Sequence, residues 1–185
     1  LRSPRVRALV AAALGISLLL SVAVLLVDRL HSSSGDAIEH PAKPVSDDQS
    51  KAQVVESARE VVRIAGLQTT SAGYLLMSCK NRDDPPYQGA IYLNFAVPAG
   101  ARTESYFPTI ATTLVSHGWT EGLPPNGKVF GRTLSKDAVT LMVYRQSDSP
   151  GVGVLRIYGE CRNMNDHRTD RSGWVDIAGD LRGPG

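Results

Sequence analysis

The stretch Tyr158 to Asp170, "YGECRNMNDHRTD", places a thiol, carboxylates, a histidine and two arginines close together. Three chemistries could use such residues. Cys161 could be a nucleophile with His167 as its base, which requires contact at about 3 Å and a lowered thiol pKa. Asp166, His167 and Asp170 could hold a metal ion, with His31, His40 and His117 as further nitrogen donors. No pair among these has the tight spacing of a zinc site, and His31 and His40 fall in a linker. The third reading is structural: Cys161 bonds to the only other cysteine, Cys79, and a polar loop follows.

Other reaction motifs are missing. There is no G-x-S-x-G elbow for a serine hydrolase. "GLPPNGKVFG" lacks a phosphate cradle, because Gly127-Lys128 is followed by Val129 where Ser or Thr is required. No cofactor and no metal are expected, and the reading is of a protein that is not an enzyme.

The compartment decides between the thiol readings. An uncharged run from Ala8 to Val27 follows Arg2, Arg5 and Arg7. About 20 residues of helix cross the roughly 30 Å hydrocarbon core. Basic residues stay on the cytoplasmic side. The reading is therefore a single-pass protein of the cell membrane, with a cytoplasmic N-terminus and an extracytoplasmic C-terminal domain. A cleaved signal has a shorter apolar region. The nearest small-residue site, "GDA" at Gly35 to Ala37, lies well past the run, so a retained anchor is expected. Export to an oxidising compartment favours a bridge between Cys79 and Cys161.

Setting aside the three N-terminal arginines changes the charge. The whole chain has 20 basic and 18 acidic side chains, so 17 and 18 remain. That balance argues against a nucleic-acid partner.

The elements that must position these residues follow from periodicity. Residues 1–30 read as a cytoplasmic stub and anchor, 31–45 as a linker, 46–161 as an extracytoplasmic domain and 162–185 as a polar tail, whose one apolar island, "GWVDIAGDL" with Trp174, Val175, Ile177 and Leu181, either docks on the domain edge or stays loose. A first helix starts at Ser46 as cap, with Asp47 and Asp48 at its positive end. It buries Val54, Val55, Ala58, Val61, Val62 and Ala65 and stops at Gly66. A second helix, capped by Thr103 or Ser105, carries the stripe Phe107, Ile110, Ala111, Leu114 and Val115. His117 lies in its last turn, where a donor suits the free carbonyls.

Five segments alternate with period two. They contain "GYLLMSCK", "AIYLNFAV", "KVFGRTL", "AVTLMVYR" and "VGVLRIYGEC". The expectation is an α+β chain: an N-terminal transmembrane helix, then a two-layer domain. Its antiparallel sheet has about five strands, with two helices on one face. "NRDDPPYQGA" (Asn81 to Ala90) reads as a loop stiffened by Pro85 and Pro86, either a plain connection or a presented recognition loop.

"CKNRDDPPYQGAIYLNFAVP", "YFPTIATTLVSHGWTEGLPP" and "YGECRNMNDHR" together resemble small exported lipoproteins of mycobacteria, of the LppA type. The similarity covers about Tyr74 to Arg168. It implies an exported α+β domain with paired cysteines and no established activity. The chain departs from the family in lacking a cysteine that could be lipid-modified after the apolar run.

Two functions follow, besides a less favoured enzyme. In the first, the chain is an interaction module of the envelope, an accessory subunit or scaffold with a possible envelope protein partner. If Leu75, Ile91, Val143 and Ile157 face the helices, then Tyr74, Tyr92, Tyr144 and Tyr158 share the other face with Arg156. Tyrosine joins apolar area to a polar tip and suits contact surfaces. The rival is that the tail covers this face. In the second, the domain binds a small envelope molecule, a lipid or glycan, between sheet and helix.

Overall fold

The computed structural model describes residues 41, 43–80, 84–170 and 173–181. All of its elements belong to a compact unit, Lys43–Gly185. Helix α1 is Asp47–Ala65 and helix α2 is Thr103–Val115. The strands are β1 Gln68–Ser78, β2 Tyr87–Ala96, β3 Thr120–Glu121, β4 Val129–Lys136, β5 Val139–Arg145, β6 Val152–Tyr158 and β7 Val175–Asp176. They form one seven-stranded sheet in the order β3-β4-β5-β6-β2-β1-β7. Every pairing in it is antiparallel.

Local chemistry explains both ends of α1. The Ser46 side chain accepts from the Gln49 amide, and the Gln49 side chain accepts from the Ser46 amide. This reciprocal box satisfies two amides that the helix leaves unpaired. Gly66 closes the helix at φ 61°, a left-handed conformation that costs glycine little. Helix α2 has no side-chain cap: Arg102 occupies the cap position, and Ser105 instead donates to the Arg102 carbonyl. The expected cap at Thr103 or Ser105 is corrected accordingly.

The core lies between the two helices and one sheet face. Val54, Ala58 and Val61 of α1 and Phe107, Ile110 and Leu114 of α2 bury against Ile91, Leu93, Phe95, Leu141, Val143, Leu155 and Ile157. Val115, expected on the buried stripe, is 43% exposed.

The expected fold class is corrected in two respects. Among the described residues the domain is mostly β, with seven strands in place of about five. The two additional strands, β3 and β7, have two residues each, too short to show a period. The expected anchor, Ala8 to Val27, lies outside the described residues. Among the described residues, no helix is long and apolar enough to cross a membrane.

The segment after Cys161 is built into the domain. Asn163 is fully buried, and Ile177 and Leu181 are 2% and 4% exposed within the core. The Ile177 amide donates to the Ala72 carbonyl at 3.0 Å, continuing the edge made by β7 on β1.

Candidate functional site

Cys79 and Cys161 form a disulfide across 82 residues of sequence. Cys79 lies just beyond β1 and Cys161 just beyond β6, the two neighbours of β2 in the sheet. The bridge therefore ties together strands that β2 separates. It also removes the thiol that a cysteine nucleophile would need.

His167 is held between two carboxylates. Its Nδ1 lies 2.8 Å from Asp170 Oδ2 and its Nε2 lies 3.1 Å from Asp47 Oδ1. Its ring meets the Tyr87 ring edge-on at 4.9 Å. Asp47 Oδ1 also accepts from Asn163 and Asn165, both at 2.7 Å. Alternate residues of "NMNDH" thus converge on the first residue of α1. Asn163 is satisfied throughout: its backbone exchanges both hydrogen bonds with Tyr87, and its side-chain oxygen accepts from the Asn165 amide.

This cluster clamps the segment after Cys161 to the start of α1. His167 and Asp170 do border a cavity of about 400 Å³, shared with Tyr74, Met77 and Tyr87. Both imidazole nitrogens are engaged by carboxylates. Among the described residues, no three His, Cys, Asp or Glu side chains converge as a metal site.

The clamp has a pH signature. Burial disfavours the charged form of His167, but the hydrogen bonds and charges of Asp170 and Asp47 outweigh it and raise the pKa. Burial pushes Asp47 up, and the bonds from Asn163, Asn165 and His167 outweigh that and lower it. A raised histidine stabilises fully below its unfolded pKa of about 6.5 and loses this as pH rises through the folded value. A lowered aspartate stabilises above about 3.9 and loses this as pH falls through its folded value. The clamp is therefore strongest between about pH 4 and 6.5. Urea unfolding of the wild type should show stability falling from pH 6 to pH 8 relative to His167→Gln. Parallel pH profiles for the two proteins would refute the ion pairing.

The sheet face away from the helices carries four of the five predicted binding residues: Tyr92, Tyr144, Arg156 and Tyr158. Arg156 sits opposite Tyr92 on β2 and Met142 on β5. Its guanidinium lies 5.1 Å from the Tyr92 ring centroid, and its buried Nε has no hydrogen-bond partner among the described residues. Burial raises the Tyr144 pKa, with the charge of Arg156 opposing. Lys128 Nζ covers the Tyr144 ring at 4.8 Å.

Tyr74 is the correction on this face. It pairs in register with Ile91, so it lies on the helix side, 8% exposed, and Leu75 points the other way. Lys51 of α1 approaches its ring at 5.9 Å. Burial, with the negative charges of Asp47 and Asp48, pushes its pKa up to about 12.

Trp174 stands out in the sequence only as part of the tail's apolar island, not as a residue of this face. It lies over Gly73, where an added Cβ would sit 3.1 Å from Trp174 Cβ. Its ring is 6.1 Å from that of Tyr92, and the residue is 49% exposed. The segment beyond Cys161 thus covers one corner of the face and adds an aromatic to it.

Comparison with known proteins assigns the chain at family level. The family model described as "Putative lipoprotein LppJ" matches residues 46–180. The chain belongs to the LppJ family. An LppJ protein from Mycobacterium bovis is 38% identical over 165 residues, covering 89% of this chain and 86% of the relative. Two from Mycobacterium tuberculosis strains are 38% identical over 153 residues, covering 82% of this chain and 80% of each relative. No solved structure matches. The LppJ match supports the resemblance to a mycobacterial lipoprotein family, with LppJ in place of the LppA type. A lipoprotein family suggests an envelope-associated, extracytoplasmic location, which suits the disulfide.

Proposed function

We propose that this LppJ-family domain is a non-enzymatic binding module of the cell envelope, which docks an acidic segment of a partner protein on the sheet face away from the helices, around Tyr92, Arg156 and Tyr158. One observation carries the reading. Arg156 is set among phenols, over the Tyr92 ring and on the same face as Tyr144 and Tyr158; its buried Nε has no hydrogen-bond partner and its guanidinium no ion pair among the described residues. A partner carboxylate would find a partly desolvated guanidinium there, with flat aromatic area from Tyr92 and Trp174 beside it. Charge-assisted bonds to arginine are stronger than neutral ones, and buried aromatic and arginine anchors dominate interfaces.

Tyr92 and Tyr158 are half-buried, so their joint truncation tests the face without emptying the core. Tyr92→Ala with Tyr158→Ala should leave the melting temperature nearly unchanged, as for most changes outside the core. Crosslinking in intact membranes should recover a discrete partner with the wild type. The double variant should lose it by a factor matching about 2 kcal/mol or more, if the pair forms a hot spot. A large fall in melting temperature would instead mark the face as packing, and unchanged crosslinking would move the interface elsewhere.

A further inference from the structure

A second site lies on the other side of the molecule, between the C-terminal half of α1, the start of β1 and Leu181. Its volume is about 560 Å³, within the range of small-molecule sites. Val62, Leu67 and Leu181 give it an apolar lining, and Arg59, Glu60, Arg63 and Thr69 supply its polar groups.

The charges there are unequal. Glu60 is neutralised by Lys136 at 2.8 Å. Arg59 donates from Nε to the Asp180 carbonyl at 2.5 Å, which fixes the side chain without cancelling its charge. Arg63, in the last turn of α1, makes no ion pair among the described residues. Thr69 Oγ1 is shielded from solvent and has no hydrogen-bond partner among the described residues. A buried hydroxyl without a partner is unfavourable, and a bound polar atom would satisfy it.

An apolar cleft with two guanidiniums and an orphan hydroxyl matches one ligand chemistry. We infer that this cleft binds a single-chain anionic amphiphile, with its hydrocarbon against Val62, Leu67 and Leu181 and its carboxylate or phosphate at Arg59 and Arg63. Arg59 gives the site its shape by holding the Asp180–Leu181 segment against α1. Arg63 supplies the free charge. The site is separate from the tyrosine face and does not depend on it.

Photolabelling of the full chain in membranes tests this. The probe is dodecanoic acid carrying a diazirine, and the control is its uncharged methyl ester. The acid should label peptides containing Val62, Leu67 or Leu181, and the ester should label them at least fivefold less. Arg63→Gln should reduce labelling by the acid at least fivefold, and Thr69→Val should reduce it measurably. Dodecyl phosphate should compete, and inorganic phosphate should not. Equal labelling by acid and ester, labelling spread over the domain, or no loss in Arg63→Gln would each overturn the assignment. Competition by inorganic phosphate alone would show a free-anion site and overturn it too. Circular dichroism of both variants guards against a loss that comes from misfolding.

Discussion

Replacing both cysteines, Cys79→Ser with Cys161→Ser, should lower unfolding stability by about 3–5 kcal/mol, among the largest effects of any surface-accessible change. The bridge spans 82 residues of sequence, and in the chain-entropy model a loop of that size restricts the unfolded state by roughly 4–5 kcal/mol. That loop contains β2, α2 and β3 to β6, most of the domain. Typical domains are stable by only about 5–15 kcal/mol, so the loss would be a large share of the total. Urea unfolding of oxidised wild type, reduced wild type and the double serine variant measures it. The reduced and serine forms should agree, and the melting temperature should fall by roughly 10 °C or more. Thiol reagents should label neither cysteine of the wild type without reductant. Ready labelling of both in folded protein would remove the basis of this expectation.

The bridge and α1 were legible in the sequence because each rests on a strong local or compositional signal. Cys79 and Cys161 are the only two cysteines. Ser46, Gln49 and Gly66 are cap residues at the right offsets. The face of β1 was harder to read. Leu75 and Leu76 are both half-buried, so period two gives no clear parity, and the choice fell on the wrong leucine. The structure places the Tyr74 ring against the helices, with no partner for its hydroxyl among the described residues, an arrangement that a simple apolar-inward rule disfavours. The segment after Cys161 was read as polar because its buried anchors are sparse. The apolar island with Ile177 and Leu181 is visible in the sequence, but nothing local says where it docks, and the buried Asn163 is itself polar. Its burial depends on Asp47 and Ser50, more than a hundred residues away in sequence, a relation no local window contains.

The same contrast governs the candidate sites. Strand alternation brought Tyr92, Tyr144, Arg156 and Tyr158 to one face, because β2, β5 and β6 each have a clear apolar side. Trp174 joined them through the two-residue strand β7, which alternation could not detect. The arginine-lined cleft draws on α1, β1 and Leu181, and became visible only when the chain was folded.

Phe107→Ala should lower stability by about 3–5 kcal/mol, the range for emptying a buried phenylalanine site. Phe107 is fully buried and is the aromatic link between α2 and the sheet. Its ring lies 6.3 Å from Phe95 and 5.5 Å from Tyr106, centroid to centroid. Phe95 cannot easily move to fill the gap. Its ring occupies the space above Gly153, where an added Cβ would be 2.2 Å away, so it is locked over β6. The cavity would therefore persist, and both lost contacts and residual volume would count against the variant. Phe107→Leu should cost much less, under about 2 kcal/mol, since most of the volume is kept. Val115→Ala on the same helix, at a site 43% exposed, should stay within about 0.5 kcal/mol. Urea unfolding followed by tryptophan fluorescence, with Trp119 just beyond α2 as reporter, ranks the three. If Phe107→Ala cost no more than Val115→Ala, α2 would not be packed on the sheet through this ring, and the two-layer core would need redrawing.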